Sequence, residues 1–263
     1  MNCVVVKVGG HALDSLEPSS TVLIDLARDV VELRDRDVNV IVVHGGGPQI
    51  AALLESVGLE SKFQDGLRIT DVETMRYVEM ALSSVNIRIV AALNDAGLAS
   101  VGLCGSDATL LRSESVGEPF GRVGHAPIVN RDVIDALWSA GFTPVINPVA
   151  LDKDAQPLNC NADAVAGALA AELSADELVL LSDIDQLLED VEDPTSAKSL
   201  VTGAEIQAMK QSGAARDGMN PKLTAALDAL HGGAEKILLA NGTRSHALRD
   251  ALAHSIPTTE VVR

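Results

Sequence analysis

The chain has 263 residues, enough for one large or two modest domains with an ample apolar core. Its formal net charge of −17 argues against nucleic acid and anionic membranes as partners, because both require a basic footprint. Aromatic side chains are only 2% of the residues, so the core must consist mainly of Val, Leu, Ile and Ala, which favours α/β layers.

Cysteine usage and the N-terminal segment indicate the compartment. Cys3, Cys104 and Cys160 are an odd number with no C-x-x-C pair, which fits a reducing cytoplasm and suggests neither a disulfide framework nor a zinc site. The opening MNCVVVKVGG lacks the features of a signal peptide, and no apolar run approaches about 18 residues. We therefore expect a cytoplasmic protein that neither spans nor anchors in a membrane.

Short apolar segments alternate with helical patterns along the chain. The predicted strands are Cys3–Val8, 38–43, Ser100–Cys104, Thr143–Asn147, Glu177–Ser182 and 236–240. The predicted helices are Thr21–Arg34, 48–56, 71–96, 131–140, Ala162–Leu173, Gly203–Ser212 and 221–230. Apolar residues occupy consecutive strand positions, as in strands buried on both faces. This pattern predicts a three-layer α/β/α sandwich around a mainly parallel open sheet.

Two segments interrupt this rhythm. Residues 105–128 contain glycines and charges with little helical period and are predicted to form hairpins or a lid. Residues 185–198 form a second, acidic excursion. A soft division near Ala175 separates a predicted N-lobe, residues 1–175, from a smaller C-lobe, residues 176–263.

Two glycine-rich segments follow predicted strands, where ligands of open α/β sheets bind. KVGG, beginning at Lys7, places a cation and two glycines where a phosphate could contact backbone N–H groups, although a surface lysine before a turn would look the same. HGGGP, beginning at His44, allows close backbone approach and a helix start at Pro48. Three consecutive glycines favour ligand binding over a plain turn. We interpret His44 itself as structural.

Polar residues follow in three further motifs. Arg68, in DGLRITD, offers a planar fork for a carboxylate, but a surface ion pair with Asp65 or Asp71 is the simpler interpretation of that residue alone. In NCNAD, capping of the next helix explains Asn161 and Asp163 but not Asn159.

The last motif, DGMNPK, places Lys222 near a helix N-terminus, where the helix dipole disfavours a cation. A lysine placed against that preference suggests that an anion binds there.

In this order, KVGG, VHGGGPQI, DGLRITD, NCNADAVAG, LLSD and DGMNPK resemble the amino-acid kinase family, and within it the acetylglutamate kinases. The resemblance covers essentially the whole chain. It implies the amino-acid kinase fold and ATP-dependent phosphorylation of the γ-carboxylate of N-acetyl-L-glutamate in arginine biosynthesis, with Mg²⁺. The N-lobe would bind acetylglutamate and dimerise, and the C-lobe would bind ATP.

The resemblance also implies roles for individual residues. Lys7 and Lys222 would stabilise the transferring phosphoryl group, with Asp163 holding both lysines. Arg68 and Asn159 would bind acetylglutamate. Backbone amides would come from Gly9 and Gly10 toward ATP, and from Gly46 and Gly47 toward the acceptor. The walls of the nucleotide pocket would be Asp183, Ile184, Asp185, Gln186, Leu187 and Leu188, with Ala214, Ala215 and Arg216. No metal-ligating residue is predicted, because no carboxylate cluster stands out.

Two departures and two alternatives accompany this resemblance. Gln186 stands where the family usually has glycine, and residues 256–263 do not match the usual family ending.

The alternatives are a kinase for carrier-protein-linked glutamate or aminoadipate and a non-catalytic nucleotide or metabolite sensor of the same fold. Because the first strand follows Met1-Asn2 directly, without the N-terminal helix of arginine-sensitive relatives, we expect a homodimer that L-arginine does not inhibit.

Overall fold

Helices and strands alternate through most of the chain in the computed structural model, which describes residues 2–13, 17, 19–190, 193–212 and 219–263. The helices are α1 (Thr21–Arg34), α2 (Gly47–Ser56), α3 (Val72–Asp95), α4 (Asp132–Ser139), α5 (Ala162–Leu173), α6 (Gly203–Ser212), α7 (Met219–Gly232) and α8 (Ala247–Leu252).

Most strands belong to two sheets. They are β1 (Cys3–Val8), β2 (Asn39–His44), β3 (Phe63–Gln64), β4 (Leu67–Arg68), β5 (Ser100–Cys104), β6 (Leu111–Arg112), β7 (Ser115–Gly117), β8 (Gly121–Gly124), β9 (Ile128–Val129), β10 (Thr143–Asn147), β11 (Val149–Leu151), β12 (Pro157–Cys160), β13 (Glu177–Ser182), β14 (Leu187–Leu188), β15 (Ala197–Lys198), β16 (Leu200–Thr202), β17 (Lys236–Asn241) and β18 (Thr258–Val262).

The main sheet has eight strands in the order β16-β18-β17-β13-β1-β2-β10-β5. The six strands from β17 to β5 are parallel. The remaining two invert the direction, since β18 is antiparallel to β17 and pairs in parallel with β16. The predicted mainly parallel sheet is therefore confirmed, and the carboxyl ends of its six parallel strands share one edge.

Alternate residues of each central strand face opposite helical layers. In β1, Val5 packs in a cluster with α5 and α7, whereas Val4 and Val6 pack in a cluster with α1, α3 and α8. Both faces are buried, which explains the consecutive apolar positions in the sequence. The predicted three-layer sandwich is confirmed.

A second, six-stranded sheet, β7-β8-β12-β11-β6-β9, lies beyond the main one. It includes the antiparallel pair β7 and β8, which confirms a hairpin within residues 105–128. β11 and β12 were not among the predicted strands, because they are short and enclose the charged turn at residues 152–154. The acidic excursion contains the two-stranded pair β14 and β15.

The main sheet crosses the predicted lobe boundary. In particular, β1 pairs with β13 along its length, from Val4 opposite Glu177 to Val8 opposite Leu181. The division into residues 1–175 and 176–263 stays a prediction about which part binds which substrate. Among the described residues, no helix has both the length and the apolar character needed to cross a membrane.

Candidate active site

The two glycine-rich segments meet at the carboxyl ends of β1 and β2. A Cβ atom on Gly10 would lie 2.7 Å from Cδ of Pro48 and 3.0 Å from the amide nitrogen of Gly47, so a larger residue would push the segments apart. Gly46 is the N-cap of α2, and the first amides of a helix have no intrahelical acceptor. A Cβ atom on Gly47 would have no atom within 4 Å. This helix N-terminus is therefore open to an anion.

Gly9 differs from the expectation that its amide contacts a phosphate. Its N–H donates to the carbonyl of Leu181 at 2.9 Å and so joins the end of β1 to β13. A Cβ atom on Gly9 would lie 3.5 Å from Nζ of Lys7. A side chain at position 9 would therefore contact the lysine head group.

Lys7 and Lys222 contact the same carboxylate. Nζ of Lys7 lies 2.8 Å from Oδ1 of Asp163, and Nζ of Lys222 lies 3.4 Å from Oδ2. The side chains of Lys7, Asp163 and Lys222 are 7%, 5% and 14% exposed. Three residues far apart in sequence thus form one buried charge cluster with a net charge of +1.

Burial and mutual attraction set the protonation of this cluster. Burial works to raise the pKa of Asp163, but attraction to Lys7 and then to Lys222 outweighs it, and the pKa lies below its usual value. Burial lowers the pKa of Lys7, an effect that Asp163 opposes and Lys222 reinforces. Asp163 is therefore ionised at neutral pH and favours the charged form of Lys7.

The packing of α5 against α7 brings Asp163 and Lys222 together. A Cβ atom on Gly167 would lie 2.8 Å from the carbonyl oxygen of Ala225, so the two helices approach closely within the second turn of each. Asn161 caps α5 by accepting the amide of Asp163 at 2.8 Å, which confirms the predicted cap. Asp163 lies in the first turn of α5, so the N-terminus of this helix adds positive potential to the charge cluster.

Arg68 contacts the glycine segment, residues 45–47, where α2 begins. Its guanidinium donates to the hydroxyl of Ser61 and, at 3.0 Å, to the carbonyl of Gly47, and it lies 4.6 Å from the ring centroid of Phe63. Arg68 is 7% exposed, and burial lowers its pKa, although an arginine remains charged at neutral pH.

Arg68 has no ion pair with any carboxylate among the residues that the structure describes. Asp71 instead caps α3 by accepting the amide of Thr74 at 2.7 Å. The simpler interpretation of Arg68, a surface ion pair with Asp65 or Asp71, is therefore wrong. A buried cation without an anionic partner is costly, so an anionic ligand would complete this site.

Arg68 and Asn159 line one cavity of 480 Å³. Nδ2 of Asn159 donates to Oγ1 of Thr70 at 3.2 Å, and that hydroxyl donates to the carbonyl of Arg68 at 2.8 Å. The cavity is also lined by the glycines before and at the start of α2 and by apolar side chains, including Ile50, Phe63, Leu82 and Val123. A small molecule with one carboxylate at Arg68 could thus reach the α2 N-terminus.

The predicted nucleotide wall follows β13. Asp183 is exposed, and its charge favours the protonated form of Lys7. Asp185 accepts hydrogen bonds from Asn241 at 3.1 Å and Arg244 at 2.8 Å. Ile184 and Leu188 are partly buried and Leu187 is buried. The second part of the predicted wall, Ala214, Ala215 and Arg216, lies outside the described residues.

The two departures from the family pattern contact each other. Nε2 of Gln186 donates to the carbonyl of Thr258 at 3.1 Å, and the amide of Leu187 donates to Oγ1 of Thr259 at 2.8 Å. Gln186 is not among the residues with positive φ, so this turn does not need glycine. The segment 256–263, for which the sequence predicted no strand or helix, contains β18 and holds the predicted nucleotide loop.

Sequence reasoning missed the residues that support the site. Thr70 fixes Asn159, and Asn86 contacts His44 through Nδ2 and Nε2 at 3.1 Å. The signal for Asn86 was available, because it interrupts the apolar stripe of α3 between Val85 and Ile89, where a polar side chain needs a buried partner. The position of Thr70, two residues before α3, suggested instead that it caps this helix.

Comparison with known proteins identifies the family. The model of the amino acid kinase family matches residues 2–241. The acetylglutamate kinase of Parvibaculum lavamentivorans is 40% identical over 93% of this chain and 83% of its own length. That of Symbiobacterium thermophilum is 39% identical over 93% and 86%.

Among solved structures, the N-acetylglutamate synthase of Neisseria gonorrhoeae has a TM-score of 0.84 at 20% identity, over all of this chain and 59% of that chain. At this identity the likeness shows the fold alone. The family match and the two sequence relatives together show that the chain belongs to the amino acid kinase family.

Proposed function

We propose that this protein transfers the γ-phosphoryl group of ATP to the side-chain carboxylate of N-acetyl-L-glutamate, forming N-acetyl-L-glutamyl 5-phosphate in arginine biosynthesis. The observation that carries the proposal is a buried Arg68 with no carboxylate partner among the described residues, in a cavity that also contains the α2 N-terminus. Relatives named acetylglutamate kinase, at 39–40% identity over most of both chains, support it.

The cavity suits an acceptor with two carboxylates. Arg68 would bind the α-carboxylate through charge-assisted hydrogen bonds, with Asn159 contacting the neighbouring polar atoms. The apolar lining would pack against the aliphatic part of the substrate. The amides of Gly46 and Gly47 would then contact the reacting γ-carboxylate at the N-terminus of α2.

The reaction needs positive charge more than it needs a base. A γ-carboxylate has a reference pKa of about 4.3, so it is already ionised at neutral pH and no proton has to be removed. One of its oxygens forms a bond to the γ-phosphorus while the bond from that phosphorus to the bridging oxygen breaks, and ADP leaves with the electron pair. Lys7 and Lys222 would neutralise the charge on the transferring group, and Asp163 would hold both lysines in place.

ATP would occupy the side of the charge cluster nearest β13. Gly10, the loop from Asp183 to Leu188 and residues 214–216 are the proposed contacts. The described residues contain no group of three His, Cys, Asp or Glu side chains that could hold a metal ion. We therefore expect Mg²⁺ to arrive bound to the phosphates of ATP.

The proposed assembly is a homodimer that uses α3. Val72, Met80 and Ile87 of this helix are 58%, 59% and 65% exposed, and their spacing of eight and seven residues places them on one face. Such a stripe favours burial against a second copy.

The proposed compartment is the cytoplasm, which fits the free thiols of Cys3, Cys104 and Cys160.

A coupled assay of ADP release tests the activity with N-acetylglutamate, glutamate, aspartate and carbamate as acceptors. N-acetylglutamate should be strongly preferred over glutamate, because a free ammonium group would place positive charge near Arg68 and the lysines. Equal turnover of N-acetylglutamate and glutamate would contradict the proposal. Binding of ATP without ADP release would favour the sensor instead.

A further inference from the structure

His44 is a buried titratable side chain that phosphoryl transfer as described above leaves unused. It ends β2, immediately before the three glycines, and it is fully buried. Burial lowers its pKa to about 4, although the hydrogen bond to Gly45 works in the opposite direction. At neutral pH the imidazole is therefore uncharged and carries one proton, on one of its two ring nitrogens.

The neighbours of His44 determine which nitrogen carries that proton. Nδ1 lies 2.8 Å from the carbonyl oxygen of Gly45, which can only accept, so Nδ1 must be the donor. Nε2 then has to accept, and it faces Nδ2 of Asn86 at 3.1 Å. The same amide group also donates to the carbonyl of Val145 at 3.0 Å, which fixes its orientation against β10.

This chain of hydrogen bonds runs from the main sheet to the glycine segment. It begins at Val145, passes through Asn86 and His44, and ends on the Gly45 carbonyl. A second contact comes from the same helix, α3, because a Cβ atom on Gly46 would lie 2.8 Å from Cδ2 of Leu82. The backbone around Gly45 and Gly46 is therefore held by a polar and an apolar contact from α3.

We propose that Asn86 and His44 are positioning residues for phosphoryl transfer: they fix the Gly45 carbonyl, and this aims the next amides, those of Gly46 and Gly47, at the reacting carboxylate. The inference rests on the proposed function for the placement of that carboxylate. A displacement of about 1 Å at reacting groups can cost on the order of 10²-fold in rate. Asn86 acts on the reaction through His44 and the backbone, without touching substrate.

Asn86→Leu tests this inference, since it retains the approximate volume and removes both donated hydrogen bonds. We expect kcat to fall on the order of 10²-fold while KM for ATP stays within a factor of two of the wild-type value. The matched control is Asn94→Leu on the same helix, where Oδ1 accepts the amide of Ser100 at 2.8 Å, away from the glycine segment. Wild-type kcat in Asn86→Leu, or an equal loss in Asn94→Leu, would overturn the inference.

A measurement on the unmodified protein remains decisive if Asn86→Leu does not fold. Nitrogen-15 NMR of the His44 ring should show a neutral imidazole protonated at Nδ1 between pH 6 and 8. Protonation at Nε2 would overturn the inference, because Nδ1 could not then donate to Gly45. An inactive wild-type protein in the acetylglutamate assay would instead refute the proposed function, and the NMR result would still decide whether the hydrogen-bond chain exists.

Discussion

Lys7 and Arg68 are buried basic residues on two sides of the same glycine segment, and they differ in how their charge is balanced. Lys7 lies 2.8 Å from a carboxylate oxygen of Asp163, and Lys222 contacts the other oxygen of that carboxylate. Arg68, equally buried, has a hydroxyl, a carbonyl and an aromatic ring as neighbours. Within the described part of the chain it has no carboxylate partner.

This difference separates what the fold supplies from what a ligand has to supply. Asp163 holds two lysines close together, but one carboxylate leaves a net positive charge for a transferring phosphoryl group. At Arg68 no described carboxylate supplies the compensating anion, and a bound molecule would supply it, because a buried unpaired cation is costly. In the proposed function, the first region would stabilise the transition state and the second would bind the acceptor in the ground state.

Removal of Asp163 should have the largest effect, because it leaves Lys7 and Lys222 buried without their counterion. We expect Asp163→Ala to abolish measurable turnover and to lower the free energy of unfolding by about 3–5 kcal/mol at pH 7. Because the pKa of Asp163 is lower in the folded state, its stabilisation is present above the unfolded-state pKa and is lost as pH falls through the folded-state pKa. The coupled assay measures turnover, and urea unfolding followed over pH measures the loss of stability and its pH dependence.

The matched control for Asp163 is Glu177, which pairs with Lys236 at 3.2 Å with both side chains about one quarter exposed. Glu177→Ala should cost at most about 1 kcal/mol, as for other solvent-exposed ion pairs. Equal losses of stability in the two variants would mean that the buried cluster has no special role.

Removal of Lys222 should affect the rate more than binding. Its charge is used chiefly when the phosphoryl group transfers, so Lys222→Ala should lower kcat by about 10²–10³-fold, comparable to the loss of an oxyanion-hole donor. KM for acetylglutamate should change little. Steady-state kinetics measures the two parameters, with Lys236→Ala as the control for loss of a lysine. A rise in KM with kcat unchanged would contradict this role.

Removal of Arg68 should show the reverse pattern. Arg68→Ala should raise KM for acetylglutamate by roughly 10- to 100-fold, the equivalent of about one charged hydrogen bond, and leave KM for ATP unchanged. Arg122→Ala is the matched control, because this arginine lies 3.6 Å from its own carboxylate partner, Asp152. If Arg68→Ala and Lys222→Ala give the same kinetic pattern, the two regions do not have separate roles.

The nucleotide side should show the smallest effect. Gln186→Gly removes the hydrogen bond to the carbonyl of Thr258 and loosens the loop, while the bond from the Leu187 amide to Oγ1 of Thr259 still links it to β18. One neutral hydrogen bond is worth about 0.5–1.5 kcal/mol, so KM for ATP should rise by about 2- to 10-fold while KM for acetylglutamate stays constant. Titration of ATP at saturating acetylglutamate measures KM for ATP, and the reverse titration measures KM for acetylglutamate. An equal rise in both KM values would contradict a specific role of this loop in ATP binding.

The main sheet was predictable from sequence because its strands are continuous apolar segments buried on both faces. β11 and β12 were not predictable in the same way, since they have only three and four residues and enclose a charged turn. β18 begins with the polar sequence Thr258-Thr259-Glu260 and so lacks the continuous apolar pattern. Lys7, Asp163 and Lys222 were each identified from their motifs. Their convergence depends on helix packing at Gly167. That Arg68 has no carboxylate partner in the described part of the chain depends on where Asp65 and Asp71 point, and a single sequence shows neither.

The most direct test of the assignment of Arg68 combines one variant with one altered substrate. 4-Acetamidobutyrate keeps the acetamide and the reacting carboxylate of N-acetylglutamate but lacks the α-carboxylate. Wild-type enzyme should prefer N-acetylglutamate in kcat/KM by about 10- to 100-fold, and in Arg68→Ala this preference should fall toward one. An undiminished preference in Arg68→Ala would show that the α-carboxylate binds elsewhere and would contradict the account.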